Sequence, residues 1–230
     1  MNIFKTVTIT LVSAVLMVLP SNAKEIRIGA SASVASITST GTETLKDTAG
    51  KTSTEEHANA VIPSLFLEIA TDSGLGLGLD YVIGGADLAG STRTNDHPDA
   101  NGATDNDSGS NTANAEVDSI VSLYLTKSFD SGLYVKLGMV QADITTKEVL
   151  STGSSYGNIS ADGTVVGIGF ERVSDGGTFF RTGIDYTDFD SIKLTSTVAA
   201  GTSGSLAGGT NTIDADVDVL AAKFSVGKKF

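Results

Sequence analysis

The sequence predicts an all-β chain folded as a transmembrane antiparallel up-and-down β-barrel of about eight strands, with short turns at one end and long loops at the other. Three observations carry this expectation. Apolar residues recur at every second position in eight separate stretches. The connections between those stretches alternate between tight, glycine-containing turns and long polar segments. After residue 23 no apolar run is long enough for a spanning helix, so any membrane crossing has to be made by strands.

The chain opens on a leader-like segment. Lys5 supplies a positive n-region, residues 7–19 form an apolar run broken only by Thr and Ser, Pro20 ends it, and Ser21-Asn22-Ala23 sets small residues where a signal peptidase reads. The run is shorter than the about 20 residues a spanning helix needs. Cleavage after Ala23 is therefore expected, with 1–23 a signal peptide for Sec-type export and 24–230 a single barrel domain.

Beyond the leader the period is two. Ile26, Ile28, Ala30, Ala32 and Val34 share a face opposite Arg27, Gly29, Ser31 and Ser33. Val61, Leu65, Leu67 and Ile69 oppose Ser64, Phe66 and Glu68, and Leu75, Leu77, Leu79, Tyr81 and Ile83 oppose Gly76, Gly78 and Asp80. Further faces are made by Val121, Leu123 and Leu125; by Leu133, Val135, Leu137 and Met139; and by Val166, Ile168 and Phe170. Phe180, Ile184 and Tyr186 form a seventh, and Leu220, Ala222, Phe224, Val226 and Phe230 the last. Strict alternation over such lengths marks strands rather than helices.

Three connections are tight: Asp72-Ser73-Gly74, Asp130-Ser131-Gly132 and Ser174-Asp175-Gly176-Gly177. Their composition is that of hairpin turns. Four are long and polar, at about 39–58, 84–116, 145–162 and 188–213, rich in Gly, Ser, Thr, Asn and Asp, and expected to be mobile. Three short turns and four long loops put both termini on the short-turn side. That is the layout of an outer-membrane barrel, with periplasmic turns and extracellular loops. A soluble β-sandwich also alternates, but it does not need its turns sorted by end, and its inward face is the apolar one. Here the non-apolar face is small and Gly-rich with one or two charges per strand, which suits a narrow lumen.

Composition narrows the function. The 230 residues include no Cys and no Trp, so there is no disulfide, no thiol nucleophile, no Cys-ligated metal and no lipidated Cys. The net charge of −12, with only 15 Lys and Arg, leaves no basic face for nucleic acid. No cofactor is expected.

The last strand runs from Leu220 through Lys223, Phe224 and Val226 to a terminal Phe230, which supplies the about 9–11 residues a tilted membrane strand needs. A terminal alternating strand ending on an aromatic resembles the assembly signal of bacterial outer-membrane barrels, here Phe224, Val226 and Phe230. The stretch Phe180-Arg181-Thr182-Gly183-Ile184-Asp185-Tyr186-Thr187-Asp188-Phe189-Asp190 resembles the penultimate strand of OmpA-like and opacity-type barrels, with its charge-x-x-x-charge interior row. The resemblance covers the mature chain in layout and these two strands in motif. It implies insertion by the β-barrel assembly machinery, contact with outer-membrane lipid and a monomeric barrel. The resemblance is to the barrel alone, with no peptidoglycan-binding domain expected, and aromatic residues are only 6% of the chain, so interfacial girdles are expected to be thin.

Parity sends Arg27, Lys136, Arg181 and Lys223 into the lumen with Glu68, Asp80, Glu171 and Asp185, four charges of each sign. Expected pairs on neighbouring strands are Arg27 with Glu68, Lys136 with Glu171, Glu171 with Arg181, and Asp185 with Lys223. Counting up from the short turns puts Arg27, Glu68, Lys136, Glu171 and Arg181 low and Asp80, Asp185 and Lys223 higher. Side chains just fill an eight-stranded barrel, and buried charges need partners. Balanced signs therefore favour an ion-paired plug over a pore, which more often carries one dominant sign. The interior glycines Gly29, Gly76, Gly78, Gly138, Gly167, Gly169 and Gly183 are expected to make room for the long Arg and Lys chains.

Little other chemistry is in view. Asp105-Asn106-Asp107-Ser108-Gly109 with Glu116 departs from a calcium loop, which needs its glycine one place later. His57 and His97 fall in expected loops without a partner for catalysis. Three function classes remain: a structural or surface-interaction barrel with its loops displayed, a small-solute channel, and, most remotely, a lipid-modifying enzyme. The first is favoured, without enzymatic activity, and the sequence names no ligand for the loops.

Overall fold

Stretches that alternate Val, Ile, Leu, Tyr and Phe with small or polar residues favour the extended, pleated backbone. Ten strands form among the described residues of a computed structural model, which are 23–44, 51–84, 86–95, 109–147, 155–197 and 210–230. They are β1 (Ala23–Thr44), β2 (Lys51–Thr71), β3 (Leu75–Val82), β4 (Ala86–Asn95) and β5 (Gly109–Ser128). The second half contributes β6 (Leu133–Thr146), β7 (Ile159–Val173), β8 (Thr178–Phe189), β9 (Ile192–Thr195) and β10 (Thr212–Lys229). The expected signal peptide and its cleavage site lie almost wholly outside these residues.

The ten strands make eight staves. β4 pairs with β5 beyond the end of β3, and β9 pairs with β10 beyond the end of β8. The β3–β4 break carries Gly84 at φ +89°, a left-handed conformation that glycine adopts without strain. The sheet order is β1-β2-β3-β5-β6-β7-β8-β10, and β1 pairs with β10 from Arg27↔Lys229 to Thr44↔Thr212. Closure is completed where Phe230 and Ile26 exchange backbone hydrogen bonds of 2.9 and 3.1 Å. A closed antiparallel sheet has no edge to satisfy, the condition for crossing a bilayer with strands.

All three tight turns use one device. Gly74, Gly132 and Gly177 have φ between +76° and +87°, and each donates to the residue three positions earlier at 2.8–2.9 Å. Each turn glycine's carbonyl then accepts from the neighbouring hairpin, at Ser128, Glu171 and Lys229 respectively, at 2.7–2.8 Å. The turns are thereby stitched to the adjoining staves β5, β7 and β10 as well as to their own strands.

The staves reach further than the sequence predicts. Residues 39–44 and 51–58, expected in the first long loop, are paired in β1 and β2 from Ser39↔Glu56 to Thr44↔Lys51. Parts of the other expected loops are likewise strand, including β4, β9 and the first residues of β5 and β10. These segments lack the apolar alternation because their outer face has left the lipid. Along β10 the outward positions change from Leu220, Phe224 and Val226 to Asp214, Asp216 and Asp218. The inward positions change the opposite way, from Lys223 and Ser225 to Val217 and Val219. The remaining loop tips lie outside the described residues.

Between the turns and this inversion, large apolar side chains face outward on all eight staves. Ile28, Leu65, Tyr81, Leu125, Leu137, Phe170, Ile184 and Phe224 are 47–58% exposed. Such a belt has no place in water and matches the apolar band that contacts lipid.

Candidate functional site

The inward side chains of the lower half are where this barrel concentrates its charge. Because successive side chains alternate across a strand, β1 turns Arg27 inward, β2 Glu68, β3 Asp80, β6 Lys136, β7 Glu171, β8 Arg181 and Asp185, and β10 Lys223. Six of these, Arg27, Glu68, Asp80, Glu171, Arg181 and Asp185, are less than 9% exposed, and Glu68 is fully buried.

The lower layer is a ring of four. Arg181 donates from Nη1 and Nη2 to the two oxygens of Glu68 at 2.9 and 2.8 Å. Arg27 Nη1 donates to Glu68 at 3.0 Å and to Glu171 at 3.1 Å. Arg181 Nε closes the ring on Glu171. Arg27 Nε also reaches Glu25, which Lys229 meets from the other side. Three cations therefore face three carboxylates. The ring is not confined to neighbouring strands: β2 and β8, which hold Glu68 and Arg181, are separated by β1 and β10.

Aromatic rings pack the ring's surroundings. The Arg181 guanidinium lies 5.1 Å from the Phe179 ring, 5.3 Å from Tyr134 and 5.8 Å from Phe66. These distances suit cation–π attraction. Phe66 and Phe179 tilt against each other at 6.0 Å.

The upper layer holds two separate pairs, Lys136 with Asp185 and Lys223 with Asp80. The pairs expected on neighbouring strands, Lys136 with Glu171 and Lys223 with Asp185, are replaced by these. Barrel strands tilt and stagger, so distance along the chain from a turn does not measure height, and Lys136 rises to the layer of Asp185. Between the layers lies a cavity of about 20 Å³, room for about one water. Thr126, whose hydroxyl has no protein partner, lines it.

The interior glycines make room mainly for rings rather than for Arg and Lys. A Cβ on Gly29 would stand 2.5 Å from Phe66 Cζ, and one on Gly227 would stand 2.5 Å from Phe179 Cζ. A Cβ on Gly78 would run into the Tyr124 ring, and one on Gly169 would come within 2.8 Å of Tyr134. Two glycines differ: Gly76 leaves space for the Thr126 hydroxyl and the Glu68 side chain, and Gly167, on β7 between β6 and β8, leaves the space the Lys136–Asp185 pair crosses. The sequence reading overlooked Glu25, Tyr124, Tyr134 and Phe179. Glu25, Tyr134 and Phe179 share the inward parity of Arg27, Lys136 and Arg181, and Tyr124 has the parity opposite the outward Leu123 and Leu125, which was the available signal.

Phe224, Val226 and Phe230 lie on the lipid-facing side, 47–70% exposed. His57 is on the outer surface of β2, within 3.2 Å of Thr38 Oγ1 and 3.3 Å of Glu55. His97 and residues 105–108 of the calcium-loop-like stretch lie outside the described residues, and Glu116 pairs with Lys147. Among the described residues no group of three His, Asp or Glu side chains could hold a metal ion.

No family model matches the sequence, and a search of curated proteins finds no match. Solved structures do resemble the fold. The outer membrane protein OprG from Pseudomonas aeruginosa aligns over 88% of this chain and 96% of its own, with a TM-score of 0.50 and 14% identity. The outer membrane protein AlkL aligns over 91% of this chain and 93% of its own, at a TM-score of 0.44 and 13% identity. Neisserial surface protein A covers 90% of this chain and 99% of its own, at 0.43 and 13%. A closed eight-stave sheet and an apolar belt on all eight staves make this chain an integral membrane β-barrel, similar in fold to the outer membrane protein OprG.

Proposed function

We propose that the protein is a non-conducting barrel with a structural and surface-interaction role, its lumen plugged by the buried charges and its loops displayed outside the cell. The observation that carries this reading is the ring of Arg27, Glu68, Arg181 and Glu171, which ties strands on different sides of the lumen through charge-assisted hydrogen bonds. Each carboxylate is met by cations, as burial requires. A cavity between the two charge layers has a volume of about 20 Å³, room for about one water. On this reading the chain is exported on its leader, inserted by the β-barrel assembly machinery and held as a monomer in outer-membrane lipid, and it performs no catalytic step.

Conductance in planar lipid bilayers tests the plug. The unaltered protein is expected to show no steady single-channel steps. The Glu68→Ala, Arg181→Ala double variant, which removes one charge of each sign and two long side chains, is expected to show them. Steady steps from the unaltered barrel would replace this reading with the small-solute channel.

A further inference from the structure

The cations of this barrel divide into two groups. Of the Lys and Arg whose side chains are described, all but three sit in ion pairs. Arg27, Arg181, Lys136 and Lys223 are paired in the lumen, Lys229 with Glu25 below it, and Lys147 and Lys193 with Glu116 and Asp214 at the long-loop end. The three are Lys127 on β5, Arg172 on β7 and Lys228 on β10. All continue the outward parity of the apolar belt at the short-turn end, two residues beyond the exposed Leu125, Phe170 and Val226.

One device holds both lysines there. Each precedes the residue whose N–H bonds to a turn glycine's carbonyl, Ser128 at Gly74 and Lys229 at Gly177. Each ammonium then donates to the carbonyl just before that glycine, Lys127 to Ser73 and Lys228 to Gly176. An ammonium has three donors, so two remain for another acceptor. At the middle turn the matching place, before Glu171, is taken by Phe170, and the cation Arg172 stands two residues on, opposite Phe180 of β8. Exposed rings flank the cations: Phe129 lies 5.8 Å from the Lys127 ammonium, and Phe180 and Phe230 face outward near Arg172 and Lys228. Among the described residues no outward strand position at this end carries a carboxylate. At the other end the outward charges reverse in sign, with Asp188 on β8 and Asp214, Asp216 and Asp218 on β10.

We propose that this end of the belt binds anionic phospholipid of the periplasmic leaflet, its headgroup phosphates on Lys127, Arg172 and Lys228 and its acyl chains on the belt beside them. Basic side chains at an apolar boundary lay their stems along the lipid and hold their charge at headgroup level, where they attract anionic lipid. The occupant is anionic rather than zwitterionic, because no outward carboxylate stands ready for a headgroup ammonium. It is a lipid rather than free phosphate, because exposed charges alone are screened by salt, whereas a lipid is already held against the belt. The cations keep to one side of the barrel: at the same end β2 and β3 present Leu67, Ile69, Leu75 and Leu77. The inference rests on the short turns facing the periplasm and holds whether or not the lumen conducts.

Amide NMR of the full barrel in phosphatidylcholine nanodiscs tests the site. The nanodiscs are doped with phosphatidylglycerol, or separately with phosphatidylcholine, carrying a nitroxide close to the headgroup. The phosphatidylglycerol label is expected to broaden Leu125, Phe170 and Val226 more than Leu67 and Leu77, by about fivefold for each cation within reach. The phosphatidylcholine label is expected to broaden both sets alike, and added salt to shrink the difference. Lys127→Gln, Arg172→Gln and Lys228→Gln together remove the charges and keep long side chains. This variant is expected to erase the difference while its heat-modifiable migration shows the barrel intact. Equal broadening of the two sets by phosphatidylglycerol in the unaltered barrel would overturn the proposal without recourse to any variant, as would a preference that survives in the folded triple variant.

Discussion

Arg181 holds Glu68 with two parallel hydrogen bonds of 2.9 and 2.8 Å, from a strand that is not Glu68's neighbour. A guanidinium matches a carboxylate in this fork geometry, and here the match joins two parts of the barrel wall across its interior. The pair is therefore both a plug and a brace.

Glu68→Ala leaves Arg181 with one carboxylate and Arg27 with two of its three partners. Removing one partner of a buried pair costs about 3–5 kcal/mol. The temperature at which the barrel loses its fast, compact migration on gels is expected to fall markedly, and Glu171→Ala should act in the same direction. Glu55→Ala removes a carboxylate with 62% of its side chain exposed, paired to His57, and should lie within about 1 kcal/mol of the unaltered protein. Equal effects from Glu68 and Glu55 would contradict a structural plug.

Gly78 and Tyr124 are predicted to be energetically coupled. A Cβ at Gly78 collides with the Tyr124 ring, so Gly78→Ala should be destabilising by about 1–3 kcal/mol, the scale of overpacking. In a Tyr124→Leu background the same change should cost clearly less. A double-mutant cycle on equilibrium unfolding in urea reads the difference, and additivity within about 0.5 kcal/mol would refute the steric match.

The turn glycines should differ in tolerance. Gly74 sits at φ +78°, and its added Cβ would strike the carbonyl oxygen of Ser128. Gly176 meets nothing closer than Ser174 Oγ at 4.0 Å. Gly74→Ala is expected to cost at least about 1 kcal/mol, through the left-handed backbone alone, while Gly176→Ala stays near neutral. Unfolding midpoints of the two variants settle it.

Phe230 joins the chain end to Ile26 through two backbone hydrogen bonds and presents its ring outward. Deleting it removes the last rung of closure as well as the terminal aromatic. The yield of heat-modifiable barrel after folding into liposomes is expected to drop, and to drop further than for Phe230→Leu, which keeps the backbone rung. If the two variants fold equally, the rung contributes nothing to assembly.

The direction of every inward charge was legible in the sequence, because alternation is a local property of an extended chain: Arg27 and Glu68 point inward whatever they meet there. The number of staves and the sorting of turns were legible for the same reason, since a lipid-facing side must stay apolar for the width of the membrane. Tertiary structure decided the partners that strand neighbourhood did not give: the expected Arg27–Glu68 and Glu171–Arg181 contacts are present, but the lysines go elsewhere. Lys136 reaches Asp185 rather than Glu171 because the stagger of tilted strands sets height, and stagger belongs to the closed barrel rather than to any segment. It alone also decided that residues 39–44 and 51–58 continue the wall, since outside the lipid a paired strand needs no apolar outer face. The inward apolar face of upper β10 was hidden by the same inversion: Val217 and Val219 lie between the expected loop, which ended at 213, and the expected last strand, which began at Leu220, and only closure turns them into the lumen.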